Sequence, residues 1–264
     1  MRKPAPSVSR HAPDGILLID KPAGITSHDV VAAVRGALDG AKTGHAGTLD
    51  PFATGLLIVL VGRATKAQRQ MMELRKRYET VAQLGAVSST GDTEGVVTVT
   101  GRLPADRSKI GQPPLPTGEI KQRPPQYSAV KIGGERAYKR ARRGEEFELP
   151  ERIVSVYRFE QLWRNGDPAP PTHFAQPKPS DPRAAGLSTG EPVLERAGYE
   201  IECSAGTYVR SLITDLGDAY CLELRRTAIG PFEVGEAVGP PRRGEPWRDP
   251  PLIALDQALA RLPK

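Results

Sequence analysis

Six apolar residues, Leu56-Leu57-Ile58-Val59-Leu60-Val61, follow directly on a loop that holds glycines 44, 47 and 55 and the pair Asp50-Pro51. A continuous apolar run of this length, bounded by turn residues, reads as a strand buried on both faces. It anchors the preceding loop to the core. The glycines permit positive φ or close backbone approach, and Pro51 pushes Asp50 out of the helical region toward an extended or turn conformation. The pattern sets one carboxylate on a stiff loop above a buried strand. Local chemistry leaves two uses open for such a group, a turn initiator or a nucleophile or base.

The rest of the chain supplies strands and helices without strict alternation. Gly15–Asp20 reads as a short buried strand, stopped by Lys21-Pro22-Ala23-Gly24. Ser27 is placed to cap a helix with Val30, Val31, Val34, Ala37 and Leu38 on one face, ending near Gly40. Thr65 is placed to cap a second helix carrying Met71, Met72 and Leu74 as a core stripe. Strands are expected at 77–85, 96–100, near 152–162, at 198–203 and at 222–229. Short helices are expected at about 135–143, from Gly206 through Leu216, and over 252–262. Residues 101–121 lack periodicity, and 122–131 read as stiff and extended. The expected class is α+β, with a mixed, largely antiparallel sheet flanked by helices and loops.

Charge and cysteine use narrow the partners. The 264 residues carry 37 Lys and Arg against 31 acids, a formal charge of +6, which favours a polyanionic partner. Only 5% are aromatic, too few for a platform that stacks many bases. Cys203 and Cys221 are spaced for neither a metal pair nor a disulfide framework and are expected as buried free thiols. His11, His28, His45 and His173 are too scattered for a ligand set, so no metal site is expected. No apolar run reaches membrane-spanning length and the basic N-terminus has no apolar signal core, so a cytoplasmic protein with no membrane partner is expected.

The stretch Gly44-His45-Ala46-Gly47-Thr48-Leu49-Asp50-Pro51 with Ala53-Thr54-Gly55-Leu56-Leu57 resembles the catalytic motif of the TruB family of bacterial tRNA pseudouridine-55 synthases. Four further resemblances follow that family's order. They are Ile19 to Asp29, Lys76-Arg77-Tyr78, Pro124 to Lys131, and Gly206-Thr207-Tyr208-Val209-Arg210 with Leu224-Arg225-Arg226-Thr227. Together they cover roughly residues 15–232. The resemblance implies a pseudouridine-synthase-like fold and isomerisation of uridine 55 in the T-loop of tRNA. It implies no cofactor, because the reaction gains and loses no atoms or electrons overall.

It also assigns roles. Asp50 is the nucleophile toward C6 of the base or C1′ of the sugar. Arg210 pairs with it and holds it anionic. Tyr78 stacks on the uracil and assists removal of the C5 proton, and Leu224 walls the base pocket. His45 fills the disrupted RNA loop once the uridine is extruded. Lys21 contacts phosphate or supports the pocket. Basic residues at 75–77, 136, 139–140 and 142–143 are candidates to track the RNA backbone.

The domain reading has a disordered basic tail over 1–14, a catalytic domain over 15–238 with a disordered insertion at about 163–192, and a short extension over 239–264 that is too small for a full RNA-binding module of the PUA type. The segment 101–121 is also shorter than its counterpart in the family. The T-arm of tRNA is the expected partner, met by a monomer without an obligatory protein partner. Two competing readings are an RNA-binding or tRNA-folding factor of the same fold, and a guide-RNA-dependent pseudouridine synthase.

Overall fold

The computed structural model describes residues 14–107, 109, 111–165, 192–242, 244–247 and 249–263. In chain order the elements are β1 (Gly15–Lys21), α1 (Ser27–Ala37), β2 (Thr43–His45), β3 (Thr54–Val61), α2 (Gln68–Glu73), β4 (Lys76–Leu84), β5 (Ala86–Ser88) and β6 (Val97–Val99). There follow β7 (Gly118–Gln122), β8 (Lys131–Ile132), β9 (Glu135–Arg136), α3 (Ala137–Arg142), β10 (Arg152–Arg164) and β11 (Glu195–Cys203). The chain closes with α4 (Val209–Thr214), β12 (Ala219–Ile229), β13 (Phe232–Glu233), β14 (Ile253–Ala254) and α5 (Leu255–Ala260).

One large sheet runs β14-β1-β3-β12-β4-β11-β10-β7, with β2 beside β3 and β13 beside β12. Among the described residues its ladders are antiparallel except one. Strand β12 meets β3 in parallel, Arg225 opposite Thr54 and Arg226 opposite Gly55. The fold is α+β, as the mixed pattern of the sequence implies.

Strands β1 and β3 lie inside the sheet, and their alternate residues feed two separate cores. Leu17, Ile19, Leu57, Val59 and Val61 face α1, where Val30 and Val34 meet them. Ile16, Leu18, Leu56, Ile58 and Leu60 face the other side, against Met71, Phe232 and Ala258 of α5. A third core joins β4, β10, β11 and β12 to α4 and includes Leu49, Tyr78 and Leu224. The segment after Val238 closes on the same body. Ile253 and Ala254 pair with β1, and Trp247 and Leu252 pack near α1.

The structure revises several local expectations. The cap of α1 is Thr26, not Ser27. Thr26 and Asp29 form a reciprocal capping box, which leaves Ser27 buried as the first helical residue. The Thr65-capped helix is a 3₁₀ segment, Gly62–Ala67, followed by the short α2. Thr65 lies inside that segment and donates to Gly62 O. Met71 is buried but Met72 is 44% exposed, so no methionine stripe forms. The aperiodic 101–121 ends in β7, an edge strand against β10. Trp163 and Arg164 belong to β10 rather than to an insertion, and Arg164 pairs with Glu195. Asp14 is ordered beside Arg63 instead of lying in a tail. The disorder expected for 1–13 and 166–191 concerns residues outside the described ones. Cys203 and Cys221 are buried free thiols.

Gly55 makes the parallel junction possible. It has φ +99°, and a Cβ there would lie 2.3 Å from Arg226 O. Both the conformation and the close approach demand glycine. Gly55→Ala is expected to cost more than about 3 kcal/mol, in the range reserved for core and backbone disruption. A urea midpoint equal to the parent's would show that β3 and β12 separate freely.

Candidate functional site

The Asp50 loop leaves β2 and β3 at one end of the sheet, and every one of its carbonyls from Gly47 to Pro51 is bonded. Arg226 donates to Gly47 O at 3.1 Å and to Thr48 O at 3.5 Å. Ser27 Oγ donates to Leu49 O at 3.1 Å and accepts from Leu49 N at 2.8 Å. Asp50 O accepts from Ala53 N, and Pro51 O accepts from Gly24 N and from Lys21 Nζ. Lys21 is fully buried and donates also to Pro22 O and Ile25 O. With five consecutive carbonyls engaged, the loop backbone has no free acceptor and one geometry.

Above this backbone the Asp50 side chain meets Arg210, which is only 3% exposed. Arg210 Nε lies 2.9 Å from Asp50 Oδ2. Its Nη1 lies 2.9 Å from Asp92 Oδ2 and donates to Thr90 O, while Nη2 donates to Tyr127 O. The guanidinium is thus shared between two carboxylates and two carbonyls. Asp92 is sealed, with its side chain 4% exposed, and Oδ1 accepts from Thr90 Oγ1 and Glu94 N. Asp50 keeps 31% of its side chain accessible through a cleft mouth, within dense protein surroundings.

That cleft encloses about 410 Å³. Its floor is His45, Thr48, Asp50 and Pro51, and its walls include His28, Asp92 and Glu94. Tyr127 and Ser128, from the segment before β8, and Arg136, Tyr138 and Arg142, from β9 and α3, form a basic overhang along its other side. Arg140 and Arg143 of this overhang are occupied by Glu135 and Glu145. Arg136 and Arg142 instead face the opening. A cleft of this volume suits a ligand of nucleoside size.

Burial governs the protonation of the floor. It pushes the Asp50 carboxyl above the usual carboxylate range; Arg210 pulls it down and Asp92 pushes it up again. Arg210 lowers this carboxyl, as the pairing expected from sequence requires, but burial is the larger effect. The desolvation of an enclosed acid outweighs a cation that must also serve Asp92. Burial, joined by the charges of His28 and Arg226, brings His45 down to about 4, so the ring is neutral at pH 7. Lys21 falls through burial to about 8 and stays an ammonium at neutral pH. Burial also pushes the Tyr78 hydroxyl up, opposed by the charge of the Arg226 guanidinium.

The residues singled out from sequence fall into two groups. Asp50, Arg210 and His45 line one cleft. Tyr78 and Leu224, 8% and 6% exposed, lie in the core beside Leu49, beneath the loop rather than on the cleft surface. Leu224 also edges a neighbouring hollow with Phe52 and Glu94. Lys21 braces the loop from within and touches no open surface. Sequence reasoning missed three contributors. Asp92 lies unmarked in the Ser- and Thr-rich stretch 88–95, Ser27 read as a cap, and Arg226 as a neighbour of Leu224. Nothing local marks Asp92 as Arg210's second acid. Among the described residues no three His, Cys, Asp or Glu side chains converge as a metal cluster.

Fold and cleft together present an α+β protein with a carboxylate paired to a guanidinium in a cleft that arginines also line. The model of the TruB family pseudouridylate synthase N-terminal domain matches residues 35–175. A tRNA pseudouridine synthase B of Corynebacterium glutamicum is 39% identical over 99% of this chain and 80% of its own. One of Ectopseudomonas mendocina is 41% identical over 87% of this chain and 68% of its own. A chain in the crystal structure of a Cbf5-Nop10-Gar1 complex superposes with a TM-score of 0.53 at 28% identity, covering 84% of this chain. The present chain spans about half, 51%, of that solved chain. It belongs to the TruB family of pseudouridylate synthases.

The raised Asp50 carboxyl has a testable sign. A carboxyl whose folded pKa exceeds its unfolded value binds its proton more tightly in the native state. Its contribution to stability is present at low pH and lost as pH rises through the folded value. Asp50→Asn should therefore melt above the wild type at neutral pH, with the gap closing on acidification. Thermal midpoints across this range decide it; a variant less stable at pH 7 would mean that Arg210's attraction exceeds the cost of burial.

Proposed function

We propose that this protein isomerises uridine 55 in the T-loop of tRNA to pseudouridine, with Asp50 as nucleophile. The observation that carries the reading is the Asp50–Arg210 pair at 2.9 Å on the floor of an open cleft, in a member of this family. The extruded uracil enters beneath the overhang, at an unstacking cost of about a few kcal/mol. The Asp50 carboxylate attacks C6 of the base or C1′ of the sugar, and the N1–C1′ bond breaks. The ring turns, C5 bonds to C1′, the bond to Asp50 breaks and returns the free carboxylate, the C5 proton leaves and N1 gains one.

Each neighbour has a part in this. Arg210 aims the carboxylate and offsets the burial that favours its protonated form. Enclosure strips water from the anion, which strengthens its interaction with a developing positive charge at C1′ or with electron-poor C6. Tyr78, in the core beside Leu49, backs the base from beneath the loop, and its hydroxyl assists the C5 proton. Leu224 lies beside it as apolar backing. The neutral ring of His45 stacks in the RNA loop that the uridine has left, where an imidazolium would carry a solvation cost. Lys21 stiffens the loop. Arg136 and Arg142 meet backbone phosphates at the cleft mouth.

In this reading the chain acts alone, as a monomer in the cytoplasm with its tRNA, and needs no guide RNA. No described helix is long and apolar enough to cross a membrane. The test is incubation of the purified protein with a T-arm hairpin, with pseudouridine mapped at single-nucleotide resolution. One product at the position of uridine 55 is expected without any added RNA. Asp50→Asn should bind the hairpin with unchanged affinity and form no product. Turnover by that variant would remove Asp50 from the nucleophile's role.

A further inference from the structure

Arg226 is a charge in the wrong place for ordinary stability. It is 1% exposed and lies in the middle of the sheet, opposite Tyr78 on β4 and Gly55 on β3. Among the described residues no ion pair involves it. Its donors go to Leu56 O at 2.7 Å and to Gly47 O and Thr48 O, and its cross-strand neighbour is Tyr78, whose hydroxyl feels its charge. Burying a cation without a counterion is expensive, and an apolar side chain of similar volume would fill such a site at lower cost. The fork therefore does something packing cannot. It joins two pieces that neither strand aligns alone: the carbonyls two and three residues before Asp50, and the hydroxyl of Tyr78.

We infer that Arg226 is a positioning residue for pseudouridine formation, fixing the Asp50 loop and the Tyr78 hydroxyl in one frame so that nucleophile and hydroxyl face the same uracil. The inference rests on the function proposed above. A planar guanidinium reaches Leu56 O, Gly47 O and Thr48 O at once because its donors diverge in one plane. A lysine ammonium keeps the charge but cannot span the three directions. Without that cation beside it the Tyr78 hydroxyl becomes harder to ionise, since burial then acts unopposed by Arg226.

Arg226→Lys and Arg226→Gln are compared with the wild type on the T-arm hairpin under single-turnover conditions. Hairpin affinity and thermal midpoints are measured alongside. The expected result is a rate lower by roughly a hundredfold, the loss that follows a misplacement of about 1 Å, with affinity unchanged. In Arg226→Gln any alkaline limb of the pH–rate profile should move to higher pH, because the tyrosine has lost its cation. In a Tyr78→Phe background Arg226→Lys should slow the reaction much less than it does alone, since the two act as a unit.

Rates that fall only in proportion to the folded fraction, with an unmoved pH profile, would overturn the inference, and so would a lysine variant as fast as the parent. Where the lysine variant does not fold, the glutamine variant carries the same comparison without a buried charge. A wild type that forms no pseudouridine would remove the proposed function and this inference together. A normal wild type with an indifferent Arg226 removes the inference alone.

Discussion

Side-chain cations bonded to loop carbonyls decide where the acid of this site sits. Lys21 holds Pro51 from one side and Arg226 holds Gly47 and Thr48 from the other, with Ser27 fastening Leu49 between them. Each cation is buried and gives up its hydration, which apolar packing alone would never require. The carbonyls return part of that cost as charge-assisted hydrogen bonds. The arrangement separates two duties. Backbone atoms carry the structural load, and the Asp50 carboxylate is left with a single cation and an opening.

The same separation shapes the electrostatics. Arg210 is divided between Asp50 and Asp92, so neither acid has a full counterion. Asp92 spends its remaining lone pairs on Thr90 and Glu94 N, inside the protein. Asp50 spends none beyond Arg210. Glu94 sits at the rim, its carboxyl raised by partial burial and by the two aspartates. Asp50, Asp92 and Glu94 share one cleft with Arg136 and Arg142, so the opening sets negative charge against positive across a short span.

Much of this was legible in the residues. The run at 56–61 announced an interior strand, and a glycine-spaced loop with Asp50 and Pro51 announced a stiff approach to it. Resemblance then added Arg210 and His45, which the fold does bring to the same cleft. What stayed hidden depended on contacts across long separations. Ser27 looked like a cap because Thr26 is an equally good one, and only the fold shows Leu49 waiting beside it. Asp92 sits in a turn rich in Ser, Thr and Gly, where an aspartate usually serves the turn itself. Lys21 and Arg226 carry no mark in sequence that separates a buried cation from a solvated one, and Tyr78 could not be told apart as surface platform or core ring.

The parallel contact between Gly55 and Arg226 joins segments about 170 positions apart, at the junction that also orders the loop. Closing so long a span is entropically late, since nearby strands gain their partners first. During synthesis the N-terminal half emerges with its aspartate but without the strand that shapes its surroundings. The nascent chain therefore carries an unfinished cleft, and the loop gains its Arg226 anchors only when the last long strand inserts.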